Sequence, residues 1–222
     1  MRTRENNFSI NGLMGFDMHN KTAGIVGTGK IGKIIMEILK GFGMRILAHD
    51  LYPDKEFAQK HGIEYVTVDE LFSRSDIISL HCPLTPQNVY MINSSSIAKM
   101  RDGVMIINTG RGKLINTKDL ITGLKSKKIG SAGLDVYEEE GDYFFEDFSA
   151  EVISDDVLAR LTTFPNVLIT SHQAFFTKEA LTNIAQTTLE NISLTRESKY
   201  PNEICYRCSE GRCVRKSSGR CF

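Results

Sequence analysis

Arg111, Glu140 and His172 are the side chains of this sequence whose types together suit a reaction. Moving a hydride between a nicotinamide and a 2-oxo acid calls for three groups: a cation for the carboxylate, an acid/base for the hydroxyl proton, and a partner that tunes the acid/base. Arg111 follows Asn108-Thr109-Gly110 at the end of an apolar run, where its planar fork can grip a carboxylate bidentately and polarise the adjacent carbonyl. His172 follows the run Val167-Leu168-Ile169-Thr170 and is the natural proton donor. A carboxylate at Glu140, close to that imidazole, would favour its protonated form, the form that carbonyl reduction consumes. Each residue alone also reads as a surface ion pair, one loop acid among several, or a satisfied histidine. Only their joint placement points to a site.

A second signature precedes them. The turn Gly27-Thr28-Gly29-Lys30-Ile31-Gly32 follows the apolar run Thr22-Ala23-Gly24-Ile25-Val26 and opens a helical pattern, the arrangement of a dinucleotide-binding fingerprint. Gly27 permits a tight strand-to-helix reversal, Gly29 lets the backbone approach a pyrophosphate, and Gly32 lets helix and strand pack closely. Lys30 and Ile31 open the helix whose N-terminus would carry the phosphates. Ile31, Ile34, Ile35, Ile38 and Leu39 recur at helical spacing and are expected to form one apolar face. Asp50 ends the next apolar run, eighteen residues after Gly32. There it would accept hydrogen bonds from the ribose hydroxyls and repel a 2′-phosphate, favouring NAD over NADP.

These residues need a scaffold that gathers them. Strands fit at 62–66, 76–82, 103–109, 131–137 and 167–170, and helices at 53–61, 67–75, 94–102, 116–128 and 155–163. Such alternation predicts an α/β fold with a doubly wound parallel sheet of the Rossmann type, whose ligands gather at the carboxyl ends of the strands. Asp50, His81-Cys82-Pro83, Thr109-Gly110-Arg111, Asp135 and His172 all fall at such ends. The stretch 138–156 holds nine carboxylates and no Lys or Arg, with Tyr143, Phe144, Phe145 and Phe148 among them, so it is expected to be acidic outside and aromatic inside, a lid or an interface loop.

Composition bounds the rest. The 222 residues are 41% hydrophobic, enough for one sizeable core. No apolar run reaches the roughly 18 residues of a membrane helix, and the first residues lack a signal-peptide core. A cytoplasmic protein with no membrane partner is therefore expected. The 27 basic and 27 acidic residues balance, and no basic stripe interleaved with aromatics argues for nucleic acid. Cys205, Cys208, Cys213 and Cys221 crowd the end of the chain, but their spacing is not that of a common zinc finger. No metal is expected, and residues 205–222 read as an unstructured extension.

The segments Asn108-Thr109-Gly110-Arg111-Gly112, Asp135-Val136-Tyr137-Glu138-Glu139-Glu140 and His172-Gln173-Ala174-Phe175 resemble the D-isomer-specific 2-hydroxyacid dehydrogenase family. Within it, Gly41-Phe42-Gly43-Met44-Arg45, Ile78-Ser79-Leu80-His81-Cys82-Pro83-Leu84-Thr85 and Phe144-Phe145-Glu146-Asp147 are similar to the D-lactate dehydrogenase branch. The resemblance implies NAD as cofactor and pyruvate or another 2-oxo acid as substrate. It implies Arg111, Glu140 and His172 as the catalytic set, Asp135 at the nicotinamide carboxamide, the His81–Thr85 turn lining the cofactor site, and Phe175 beside the substrate. It gives Cys82 no chemical role. Gly110 stands where relatives often have Ser, a tolerable change. The family's substrate domain is expected to be missing ahead of residue 1, leaving a fragment with little activity alone. Residues 1–21 are expected to be an interdomain and dimer-contact segment, residues 22–177 the cofactor domain, and residues 178–204 a return helix, the whole forming a homo-oligomer. The competing reading is a non-enzymatic NAD(H)-binding interaction module of the corepressor kind.

Overall fold

The computed structural model describes residues 2–12, 14–145 and 147–197, so the cysteine-rich stretch 205–222 lies outside the described residues. Seven strands form one parallel sheet, and their order is set by the chain: β1 (Thr22–Val26), β2 (Arg45–His49), β3 (Glu64–Tyr65), β4 (Ile77–Leu80), β5 (Val104–Asn108), β6 (Ile129–Leu134) and β7 (Val167–Ile169). The spatial order β3-β2-β1-β4-β5-β6-β7 reverses between β1 and β4, which opens a crevice at their carboxyl ends. β1 and β4 are buried along their whole length, as central strands covered on both faces must be.

The strand period of two sorts the core into two layers. Ala23, Ile25, Ile46, Ala48 and Ile77 share one layer with Met36. Val26, Leu47, Ile78, Leu80 and Ile106 share the other with Leu71, Phe72, Ile97, Leu120 and Leu124. The covering helices are α1 (Lys30–Gly41), α2 (Lys55–His61), α3 (Val68–Arg74), α4 (Ser94–Lys99), α5 (Thr117–Lys125) and α6 (Asp156–Thr162). Side chains that accept from the first-turn N–H groups start most of them: Asp54 for α2, Thr67 for α3, Asn93 for α4, Asn116 for α5 and Asp155 for α6. α1 is the exception, opening at Gly29.

α1 also corrects the expected apolar face. Ile31, Ile34 and Ile38 are 66%, 57% and 50% exposed, whereas Met36 is fully buried and Ile35 and Leu39 are partly so. The inward stripe is Gly32, Ile35, Met36 and Leu39, spaced i, i+3, i+4, i+7. Its origin is Gly32: a Cβ there would overlap the Gly27 carbonyl oxygen, so the close approach fixes the rotation of the helix about its axis.

Other differences are of extent. The run expected at 131–137 pairs over Ile129–Leu134, and Val136 and Tyr137 are buried without joining the ladder. The loop beyond is aromatic inside at Phe144, but Phe145 is exposed. The chain divides into two compact units, residues 1–172 and residues from 173 onward. The second contains α7 (Lys178–Glu197). No described helix is long and apolar enough to cross a membrane.

Asp76 joins the two central strands. Its Oδ2 accepts from the Thr22 N–H at 2.8 Å and its Oδ1 from the Arg101 guanidinium at 2.9 Å. Burial pushes its pKa up, but these donors, with Lys21 nearby, outweigh burial and leave it below the ordinary 3.8. A carboxyl depressed on folding stabilises above its unfolded pKa and loses that contribution as pH falls through the lower folded value. Asp76→Ala is therefore expected to cost about 1–3 kcal/mol at neutral pH. Urea unfolding followed by circular dichroism should show this difference shrinking as pH drops below the ordinary carboxylate range.

Candidate active site

The carboxyl ends of β1, β2 and β4 build one half of the site. Gly27 has φ of +94°, and a Cβ there would stand 2.5 Å from the Cys82 nitrogen, so both its conformation and its surroundings demand glycine. Its N–H donates to His49 O at 2.9 Å, and the His81 N–H donates to Val26 O at 2.7 Å, which draws the three strand ends together. Gly29 precedes α1 with a β-region backbone and no side-chain capping bond, and nothing lies within 4 Å of where its Cβ would be. A twelve-residue helix thus opens onto clear space without a protein cap. This cradle, floored by Gly27 and Gly32, fits a pyrophosphate held by backbone N–H groups, with Lys30 and Ile31 as the first helical residues.

Asp50 follows β2. Its Oδ2 accepts from the Thr28 N–H at 2.6 Å and the Thr28 hydroxyl at 3.0 Å, and its Oδ1 from the Tyr52 N–H at 2.9 Å. Burial raises its pKa, but the Thr28 and Tyr52 N–H groups, the Thr28 hydroxyl and nearby His49 bring it below the ordinary value. A carboxylate offers about four lone-pair positions, so three bonds from the loop leave room for a ribose hydroxyl. The nearby Lys33 ammonium is taken up by Asp54, with Nζ 2.5 Å from Oδ2.

The turn after β4 is organised by Asn88. Its Oδ1 accepts from the Thr85 N–H, and its Nδ2 donates to Pro83 O at 2.8 Å and to Cys82 Sγ at 3.7 Å. Burial raises the Cys82 thiol, with Asp50 adding to the effect, so the group stays a protonated, inert thiol. Burial also lowers the His81 imidazole, whose Nε2 lies 2.9 Å from Ser79 Oγ.

The ends of β5, β6 and β7 build the other half. Asn108 is fully buried, and its amide makes the turn that presents Arg111: Oδ1 accepts from the Gly110 N–H, and Nδ2 donates to Arg111 O, both at 3.0 Å. Thr109 and Arg111 are exposed, and the Arg111 guanidinium donates to Gly110 O at 2.8 Å. Gly112 is required next, because a Cβ would overlap the Tyr137 carbonyl. Backbone contact there packs the arginine turn against the Tyr137–Glu140 loop.

Glu140 Oε1 lies 3.0 Å from His172 Nδ1, and its Oε2 accepts from the Tyr137 N–H at 3.1 Å. Both oxygens are held, and the imidazole's Nε2 lies on the far side of the ring from the carboxylate. Glu138 is used elsewhere, accepting from the Thr117 N–H at the start of α5. The Tyr137 hydroxyl donates to Asp155 at 2.6 Å, and burial together with that carboxylate pushes its pKa far up. Ser171 and His172 have φ of +44° and +55°, a left-handed pair that turns the imidazole back toward the loop. The His172 N–H donates to Asp135 O at 2.5 Å, and the Thr170 hydroxyl to Asp135 Oδ1 at 2.6 Å. Asp135 itself is buried.

Every residue singled out in residues 1–172 thus lies at the carboxyl edge of the sheet or on the turn that leaves it. Glu140 and His172 are joined directly. Among the described residues, no hydrogen bond links Arg111 to either. Thr28, Asn88, Tyr137, Thr170 and Asp155 are parts of the arrangement that the sequence did not flag. Asn88 in a proline-containing turn and Asp155 ahead of a helical run carried a local signal. The long-range bonds of Thr28 and Thr170 carried none. Among the described residues, no cluster of three His, Cys, Asp or Glu side chains could hold a metal.

Comparison with known proteins agrees with this geometry. The family described as D-isomer specific 2-hydroxyacid dehydrogenase, NAD binding domain, matches residues 1–174. D-lactate dehydrogenase of Escherichia coli is 57% identical over 204 residues, covering 91% of this chain and 62% of that protein. The solved D-lactate dehydrogenase of Salmonella is 56% identical with a TM-score of 0.79, over 90% of this chain and 61% of that one. D-lactate dehydrogenase with NAD+ from Lactobacillus jensenii is 31% identical with a TM-score of 0.77, over 89% and 59%. The chain thus spans about three fifths of the relatives that it matches. A parallel sheet with a glycine cradle at its switch point, and an imidazole–carboxylate pair at the same edge, is the form this match takes in the molecule: the chain belongs to the D-isomer-specific 2-hydroxyacid dehydrogenase family, in its NAD-binding domain.

Proposed function

We propose that this chain is the cofactor half of an NAD-dependent D-lactate dehydrogenase, which reduces pyruvate to D-lactate. The bond between Glu140 and His172, at the same sheet edge as the glycine cradle and Arg111, is the observation that carries the reading. NADH, when bound, supplies the hydride that goes to the carbonyl carbon. Arg111 grips the pyruvate carboxylate and polarises the carbonyl, while His172 gives the proton on Nε2 to the carbonyl oxygen. One hydride and one proton convert the ketone to the alcohol, and the imidazole regains its proton from solvent. Glu140 holds Nδ1, which fixes the ring's orientation and leaves Nε2 for the substrate. Asp135 takes the nicotinamide carboxamide, and the His81–Cys82–Pro83 turn, Thr109 and Gly110 line the cofactor. Residues 22–177 act as the cofactor domain in this reading, and residues 178–204 as the return helix. A cytoplasmic address goes with it, because cofactor and substrate are metabolites of that compartment. Neither nucleic acid nor membrane enters as a partner.

NADH should bind at least about tenfold more tightly than NADPH, a difference of 1.4 kcal/mol, in fluorescence titrations of each. Equal affinities would remove the ribose role of Asp50.

Turnover needs the substrate aligned and dry, and orientation is worth roughly 7–11 kcal/mol in well-aligned systems. The 222-residue chain is therefore expected to bind NADH but reduce pyruvate slowly. Fusing it behind the N-terminal part of the Escherichia coli relative should restore turnover. His172→Ala in that fusion should cut kcat by about 10²–10⁴-fold with NADH affinity unchanged. A fusion that binds NADH and folds but never reduces a 2-oxo acid would favour the non-enzymatic NAD(H)-binding module.

Self-association belongs to the same reading. Phe8, Ile10, Met14 and Phe16 are exposed, an apolar cluster in one short segment. Light scattering at micromolar concentration should give a homodimer or larger, and deletion of residues 1–21 should lower the mass. A clean monomer would contradict the assignment of that segment.

A further inference from the structure

Tyr65 ends β3, two strands away from the glycine cradle, yet its hydroxyl reaches it. That hydroxyl accepts from the Asp54 N–H at 3.1 Å and donates to Thr28 Oγ1 at 2.9 Å. The Thr28 hydroxyl, nearly buried, donates to Asp50 Oδ2 at 3.0 Å. A hydroxyl has one proton to give, so occupation of each acceptor side sets the direction of the next bond. The chain Asp54 N–H, Tyr65 O–H, Thr28 O–H, Asp50 carboxylate runs one way only. Its first member is fixed at both ends, since the Asp54 side chain caps α2 through the Phe57 N–H and pairs with Lys33. None of these contacts is needed to hold β3 in the sheet, which pairs with β2 through its backbone.

We propose that Tyr65 is a specificity-determining positioning residue: acting through the Thr28 hydroxyl, it fixes the Asp50 carboxylate that discriminates a free ribose 2′-hydroxyl from a 2′-phosphate. This inference rests on the ribose-binding reading of Asp50. With the relay in place, Oδ2 is committed to the loop and Oδ1 is the oxygen left with room for the ribose. A 2′-phosphate then meets a carboxylate that has no freedom to turn aside. Without the tyrosine hydroxyl, the Thr28 proton is free to rotate to another acceptor, and the carboxylate loses one of its three anchors. Repulsion of the phosphate relaxes more than attraction of the hydroxyl, because a mobile carboxylate can still accept a hydrogen bond but need no longer face a second anion.

Tyr65→Phe keeps the ring that packs in the β1–β2 layer and removes only the hydroxyl. The ratio of NADPH to NADH dissociation constants, read by fluorescence titration, should fall by about three- to tenfold, the size of one hydrogen bond. Thr28→Val, which breaks the same relay at its next member, should reproduce the fall. In an Asp50→Ala background Tyr65→Phe should change the ratio no further. A Tyr65→Phe ratio equal to wild type, or a fall that persists without Asp50, would overturn the relay. Both cofactors weakening equally with a lower unfolding midpoint would also overturn it, leaving Tyr65 a packing residue. Asp50→Ala tested alone separates the two layers of the argument. If that change leaves the ratio at its wild-type value, the ribose reading itself fails. If it narrows the ratio and Tyr65→Phe does not, only the relay fails.

Discussion

The structure depends on one backbone-to-backbone approach, that of Gly27 to both Gly32 and Cys82. A methyl group at Gly27 would strike the start of the β4 turn, and one at Gly32 would strike the Gly27 carbonyl. With neither present, β1, α1 and β4 close on one another at the point where the strand order reverses. Three consequences follow from that closure. α1 is rotated so that Met36 enters the core, Thr28 is laid over Asp50, and Gly29 is left at the mouth of an uncapped helix. The open helix N-terminus at the crevice is therefore a result of sheet packing, and needs no positively charged side chain to create it.

The substrate side repeats the device with a different outcome. Gly112 lets the turn after β5 touch the backbone at Tyr137, so the loop that follows β6 has a fixed starting point. Tyr137 extends that support through its N–H to Glu140 and its hydroxyl to Asp155. The left-handed pair Ser171 and His172 costs roughly 1–2 kcal/mol per residue. It is held by the His172 N–H on Asp135 and the ring nitrogen on Glu140. The left-handed backbone at these two residues is what turns the imidazole toward the carboxylate.

Much of this was legible in the sequence because it rests on local signals. The glycine spacing, the alternation of strand and helix patterns, and the placement of Asp50, Arg111, Asp135 and His172 after apolar runs each reflect a neighbour only a few residues away. The resemblance implies Glu140 rather than Glu138, and the geometry separates the two, since Glu140 meets His172 while Glu138 accepts from the Thr117 N–H. The buried face of α1 differs from the one that the spacing predicts. Five isoleucine and leucine residues fit more than one stripe, and Gly32 decides between them through a contact with Gly27 that hydrophobicity does not encode. Phe145 was likewise expected inside and is exposed, its backbone left-handed at φ +75°. The relay through Tyr65 and Thr28 joins residues 37 apart in the chain. Nothing in the local pattern marks such a pair, because its hydrogen bonds exist only once β2 and β3 have paired.

The two halves of the site differ in how their parts are tied. Asn108 O accepts from the Asp135 N–H, and Asp135 O accepts from the His172 N–H, so one line of backbone bonds crosses the ends of β5, β6 and β7. The Asn108 side chain adds Arg111 to that line through its carbonyl. The positions of the arginine and the histidine are thus an extension of the sheet's own ladder past its last paired residues, and they inherit its stiffness. Glu140 stands off the ladder, on a loop held at Tyr137 by its N–H and hydroxyl and at Glu138 by the Thr117 N–H. The carboxylate's place thus depends on the loop, whereas the backbones of Arg111 and His172 are tied to the strand ends. The sheet therefore sets where the imidazole stands, and the loop sets how the carboxylate meets it.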